Sequence, residues 1–156
     1  MPKIKRRGAA VLFGVYAILM FWLLFGQRIG AVAYTEYGSA LAANCNLIPL
    51  ATAAEMFTLL ISRQAFSFAL INLAGNVIMF IPLGYLLPII WAKFRSWKHI
   101  LRCGILIVLC VEVLQFVTLL GRFDIDDLWM NVLGIMIGYG LYCGVSAWKT
   151  IFWERS

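Results

Sequence analysis

Four stretches of this chain carry almost no charge, and each is long enough to cross a lipid bilayer. Gly8 to Gln27, Gln64 to Ala92 and Leu128 to Trp148 hold no Asp, Glu, Lys or Arg, and Cys103 to Gly121 holds only Glu112. A bilayer core of roughly 30 Å takes about 20 apolar residues of helix. The runs predict an all-α integral membrane protein with four transmembrane helices, near Ala9–Gly26, Leu70–Trp91, Ile100–Leu120 and Leu128–Trp148. Hydrophobic residues make up 63% of the chain and charged residues 13%, against about a quarter charged in soluble domains. That composition excludes a soluble monomer and a disordered chain. With 156 residues, one domain covering residues 1–156 is expected.

The basic start, Lys3-Ile-Lys5-Arg6-Arg7, also fits a secretory signal. The apolar run behind it is too long for a signal core, and no small-x-small cleavage site stands directly after it, so the first helix reads as retained. Basic residues set the orientation. Ten of the thirteen Lys and Arg fall on one side of the four spans: Lys3, Lys5, Arg6, Arg7, Lys93, Arg95, Lys98, Arg102, Lys149 and Arg155. Arg28, Arg63 and Arg122 fall on the other. Lys and Arg in short loops mark the cytoplasm, which places both termini inside, in a multi-pass membrane protein. The net charge of +6 is then a topology signal, with attraction to anionic headgroups as a side effect. It needs no nucleic-acid partner. Cys45, Cys103, Cys110 and Cys143 show no C-x-x-C spacing and read as small helix residues rather than metal ligands or a disulfide.

Between the first two spans lies a long outer segment, Gln27 to Ala69. In it Asn44-Cys-Asn46-Leu-Ile-Pro49 reads as a turn. Pro49 to Ser62 follows, with Leu50, Phe57, Leu60 and Ile61 apolar and Glu55 polar. It is too short to span and predicts an interfacial or re-entrant helix.

Polar residues in the spans agree in depth. Asn72 and Asn76, four apart, share a face at the outer start of the second span. Gly75 beside them lets another backbone approach, and Pro82 and Pro88 come deeper, where each can bend the helix. Glu112 and Gln115, three apart, share a face of the third span; at about 1.5 Å per residue Glu112 lies roughly 12 Å below the outer end. The next loop is Gly121-Arg122-Phe-Asp124-Ile-Asp126-Asp127, and Asn131 lies one turn beyond Asp127. Asp126 or Asp127 can cap the fourth helix. Independent spans need not agree in depth, and a carboxylate inside a membrane faces protein or water. The reading is a polar pocket open to the outside, between the second, third and fourth spans. Four carboxylates there face one Arg122, with Arg28 or Arg63 available to help. Otherwise a carboxyl is protonated or a cation is bound, and Glu112, the deepest, is the group whose pKa desolvation would raise. Taken singly, each residue also has a structural reading, as an interhelical hydrogen bond or a cap. Gly134-x-x-x-Gly138 and Gly140-x-x-x-Gly144 read as surfaces for close packing of the fourth helix.

Asn46-x-x-Pro49, Asn72-x-x-x-Asn76-x-x-x-Phe80-x-Pro82-x-Gly84, Glu112-x-x-Gln115-Phe116 and Arg122-x-Asp124-Ile-Asp126-Asp127-x-x-x-Asn131-x-x-Gly134 together resemble the VanZ-like family. Each motif is weak alone; four in order with fitting spacing are specific. The likeness covers Asn44 to about Gly138 and implies a small membrane protein of the bacterial cell envelope. The family's namesake is associated with resistance to the glycopeptide teicoplanin. The resemblance implies no settled reaction. Its motif positions fall on Asn46, Pro49, Asn76, Phe80, Pro82, Gly84, Glu112, Gln115, Asp124, Asp127, Asn131 and Gly134, with Asn72 and Arg122 more variable.

Three functions follow. The first is a binding or accessory protein whose outer pocket, Asn46, Asn72, Asn76, Glu112, Gln115, Arg122, Asp124, Asp126, Asp127 and Asn131, engages a glycopeptide or a cell-wall component. Phe116, Phe123 and Trp129 would supply apolar contact at the rim, although Trp129 also fits an interfacial anchor. The second is an enzyme on a lipid-linked or cell-wall substrate. Glu112, Asp124 and Asp127 are its candidate catalytic residues, with Glu112 as general acid or base. Asp124, Asp126 and Asp127 are its candidate ligands for a divalent cation such as Mg²⁺ or Mn²⁺. No cofactor motif is present, and the sole histidine, His99, is on the cytoplasmic side. The third is an ion-coupled transporter using Glu112, for which four spans are few unless a homo-oligomer supplies more.

Overall fold

The computed structural model describes residues 3–26, 45–63 and 65–153. The segment Gln27 to Asn44, including Arg28, lies outside the described residues, as does Arg155. Helix α1 is Lys3–Leu24, and strand β1 is Cys45–Asn46. Helix α2 (Ala51–Ser62) is followed by α3 (Phe66–Ile90) and a 3₁₀ turn, Ala92–Arg95. The chain continues as α4 (Trp97–Val117), strand β2 (Phe123–Asp124) and α5 (Ile125–Trp153). Helices α1, α3, α4 and α5 are long and apolar enough to cross a membrane. This is the expected four-span architecture, and the chain is a multi-pass membrane protein. Helix α2 has twelve residues, roughly 18 Å of rise. It falls short of a span and leaves Phe57 and Ile61 exposed, as an interfacial helix would.

Every helix boundary shifts by one to six residues from expectation, and at the end of α4 and the start of α5 the local reason is visible. Helix α3 starts at Phe66 and runs unbroken through Pro82 and Pro88. Helix α4 ends at Val117 rather than Leu120. Leu119 takes a left-handed backbone, φ 54°, and the Gly121 N–H turns back to the Gln115 carbonyl at 3.1 Å. Helix α5 starts at Ile125 because the Asp124 carboxylate, one residue earlier, accepts the Asp126 N–H at 2.9 Å. The cap expected from Asp126 or Asp127 is therefore supplied by Asp124, the residue at the N-cap position.

Helices α3 and α5 run parallel and form the main interface. A Cβ on Gly84 would overlap the Ile135 carbonyl, one on Gly134 the Val77 carbonyl, and one on Gly138 the Ile81 carbonyl. Three glycines thus bring two backbones into contact. The second small-residue pair does not share this role: among the described residues Gly140 and Gly144 meet nothing within 4 Å, so their expected part in packing the fourth helix is corrected. Helix α4 returns antiparallel against α5, with Gly104 seating the Ile135 side chain. Helix α1 leans on α3, its Tyr16 hydroxyl donating to the Met79 carbonyl at 2.8 Å. Met20, Phe80, Leu83, Leu87, Ile100, Val108, Val132 and Ile135 form the buried core.

Candidate functional site

The arrangement gathers one end of the bundle: the ends of α1 and α4, the starts of α3 and α5, and all of α2. Two short strands tie it. Cys45 pairs with Phe123 and Asn46 with Asp124, in parallel. A segment far back in the chain is thereby laid beside the Asp-rich loop, and its side chains fall into that loop.

Asp124 is the hub. Its Oδ2 accepts the Thr52 hydroxyl at 2.5 Å and the Asn46 amide Nδ2 at 3.2 Å, while Oδ1 caps α5. The same Asn46 Nδ2 lies 2.9 Å from Thr52 Oγ1, and Asn46 Oδ1 accepts the Ile48 N–H at 3.3 Å. The Asp124 N–H itself points to Glu112 Oε2 at 3.5 Å, which joins α4 to the loop. Asp126 turns the other way: Oδ1 accepts the Leu50 N–H at 2.6 Å and Oδ2 the Ala53 N–H at 3.0 Å. Helix α2 has no side-chain cap of its own and enters through Leu50 at φ 64°. A carboxylate from α5 therefore caps it in trans, where the exposed N–H groups and the helix dipole favour negative charge. Asp127 Oδ1 accepts the Asn76 Nδ2 at 2.5 Å, tying α3 to α5. Gln115 Nε2 donates to the Leu24 carbonyl at 3.1 Å, satisfying a free carbonyl at the end of α1.

Burial is deep for so polar a set. Glu112 and Asp126 are 2% exposed, Asn131 3% and Asp124 4%; Gln115 and Asn46 are also buried. Uncompensated charge at such depth costs several kcal/mol. For Asp124 and Asp126 the compensation is neutral: backbone N–H groups, a hydroxyl and an amide. Arg122 is exposed and reaches none of the carboxylates, so it does not balance them as expected; Arg63, also exposed, does not either. Asn72 is half-buried and bonds no described residue. Asn131 is buried, and its Oδ1 has no partner among the described residues.

Two expectations about chemistry change on this geometry. The three aspartates diverge: Asp124 faces Thr52 and Asn46, Asp126 the start of α2, Asp127 faces Asn76. Among the described residues no group of three or more His, Cys, Asp or Glu is placed to hold a metal ion. Two cavities among the described residues, of about 440 and 400 Å³, have almost wholly apolar walls and lie away from this cluster. The polar residues meet as a bonded network. Phe116 and Phe123 stack edge to face on each other at 6.2 Å, and Trp129 is 61% exposed, as an interfacial anchor is. Thr52 and the α2 amides are participants the sequence reading missed. The available signal was Thr52 itself, a hydroxyl in the first turn of a helix that follows Asn46 and Pro49.

Four apolar spans with a buried, hydrogen-bonded polar cluster at one end define a small multi-pass membrane protein whose polar residues come from several elements. A family model described as VanZ/LLP1 matches residues 13–149. Protein VanZ of Enterococcus faecium is 30% identical over 145 residues, 91% of this chain and 76% of that protein. No solved structure matches. The chain belongs to the VanZ/LLP1 family.

Proposed function

We propose that this chain acts in the bacterial cell envelope and supports resistance to glycopeptides such as teicoplanin, through the polar cluster, with that end of the bundle facing outward and both termini in the cytoplasm. The observation that carries the reading is Asn131. Its buried Oδ1 has no partner among the described residues, one turn beyond Asp127 in a network otherwise satisfied by matched donors. A buried acceptor left unpaired costs about 1–3 kcal/mol. A chain that retains one there has a place for a donor from outside, such as the amide N–H of a glycopeptide or of a cell-wall peptide. Kinship to VanZ supports the glycopeptide over other amides.

Catalysis on a lipid-linked or cell-wall substrate through Glu112, Asp124 and Asp127 is the weaker reading. Asp124 and Asp127 are engaged with Thr52, Asn46 and Asn76, and the three aspartates of the loop do not converge on one ion. The test is teicoplanin susceptibility of a sensitive host carrying the wild-type chain, Glu112→Gln, Asp127→Asn or Asn131→Ala, with membrane abundance measured by blot. The wild type should protect and equally abundant variants should not. Protection by all of them would remove the site assignment, and none from the wild type would remove the resistance reading.

A further inference from the structure

The far end of the bundle shows the opposite electrostatics. All the described carboxylates, Glu55, Glu112, Asp124, Asp126 and Asp127, belong to the polar end or to α2 beside it. At the other end Arg6, Arg7, Lys93, Arg95, Lys98 and Arg102 are all exposed. No described carboxylate is near enough to neutralise them.

One of these cations, Lys93, borders a groove. A cavity of about 400 Å³ is lined by Phe13 of α1, Leu87 and Trp91 at the end of α3 and its cap, and Lys93 and Phe94 of the 3₁₀ turn. Its walls are fixed. Trp91 meets Phe13 edge to face at 5.8 Å and Phe94 at 6.2 Å. The turn is held by Phe94 N–H to the Trp91 carbonyl at 3.1 Å, by Arg95 Nε to the Pro88 carbonyl at 3.4 Å, and by the Tyr139 hydroxyl to the Arg95 carbonyl at 2.7 Å. Lys93 is the only charged lining residue. In sequence it lies between Trp91 and Trp97, both exposed, as aromatic side chains at headgroup level are.

We propose that this groove binds one anionic phospholipid, its phosphate on Lys93 and an acyl chain against Phe13 and Leu87. Charge complementarity selects the head: Lys93 is the only charged residue bordering the groove among the described residues, and it stands in a field of further exposed cations. The apolar walls of Phe13, Leu87, Trp91 and Phe94 suit the acyl chain.

The test is native mass spectrometry of the full chain in detergent, with equal phosphatidylglycerol and phosphatidylcholine of matched acyl chains. The wild type should retain one phosphatidylglycerol in preference. Lys93→Gln should lower that preference about fivefold, the weight of one interfacial charge. Lys98→Gln, equally exposed but stacked on Trp97 at 5.8 Å and outside the groove, should leave it unchanged. No preference in the wild type, equal losses from the two substitutions, or a dimer in place of bound lipid would each overturn the proposal.

Discussion

The Asp126 carboxylate holds the N–H of Leu50, 76 positions earlier in the chain, at 2.6 Å. With its other oxygen on the Ala53 N–H, Asp126 anchors α2 to α5. Asp126→Ala leaves two helix-terminal donors unpaired and is expected to destabilise the docked α2 by about 1–3 kcal/mol. Asp126→Asn keeps one acceptor and should cost less. Hydrogen exchange at Leu50 and Ala53 reads this directly: both amides should lose protection in Asp126→Ala, while the α3–α5 core keeps its own. Unchanged protection at both amides would mean that α2 is held by something else.

Five glycines of α3 and α5 divide into two classes. Gly84→Ala, Gly134→Ala and Gly138→Ala each place a methyl group on a facing backbone carbonyl, which cannot rotate away. Each should destabilise the bundle by about 1–3 kcal/mol, as overpacking does. Gly140→Ala and Gly144→Ala enter open space and should stay within about 0.5 kcal/mol of the parent. Thermal unfolding in one detergent compares all five.

Asn76 and Asp127 should be energetically coupled. A double-mutant cycle of Asn76→Ala and Asp127→Ala isolates their bond at 2.5 Å and should give about 0.5–3 kcal/mol of interaction energy. Asp127 has a further interaction beyond Asn76, so Asp127→Ala should cost more than Asn76→Ala. Additive single effects would show that the contact contributes nothing.

Much of this was legible in the sequence because bilayer thickness is a strict ruler. Uncharged runs located four spans, and helical rise put Asn76, Glu112, Gln115, Asp127 and Asn131 at one end. What depth could not supply was direction. Asp124, Asp126 and Asp127 are near neighbours in sequence, and their shared charge suggested one cation. The start of α5 instead points them to three different partners, two of them in the segment from Asn46 to Ala53. That segment is placed by a two-residue strand pairing, Cys45–Asn46 on Phe123–Asp124, too short to leave a period in the sequence. Likewise Gly140-x-x-x-Gly144 has the same spacing as Gly134-x-x-x-Gly138. Only the rotation of α5 against α3 separates the pair that packs from the pair that does not.

The central claim is that the carboxylate-bearing end faces out of the cell. Single-cysteine labelling tests it most directly, in a chain with Cys45→Ala, Cys103→Ala, Cys110→Ala and Cys143→Ala. Arg122→Cys and Lys98→Cys then report the two ends, since both residues are exposed. A membrane-impermeant maleimide on intact cells should label Arg122→Cys and reach Lys98→Cys only after permeabilisation. The reverse pattern would contradict the account, because the polar cluster would then face the cytoplasm.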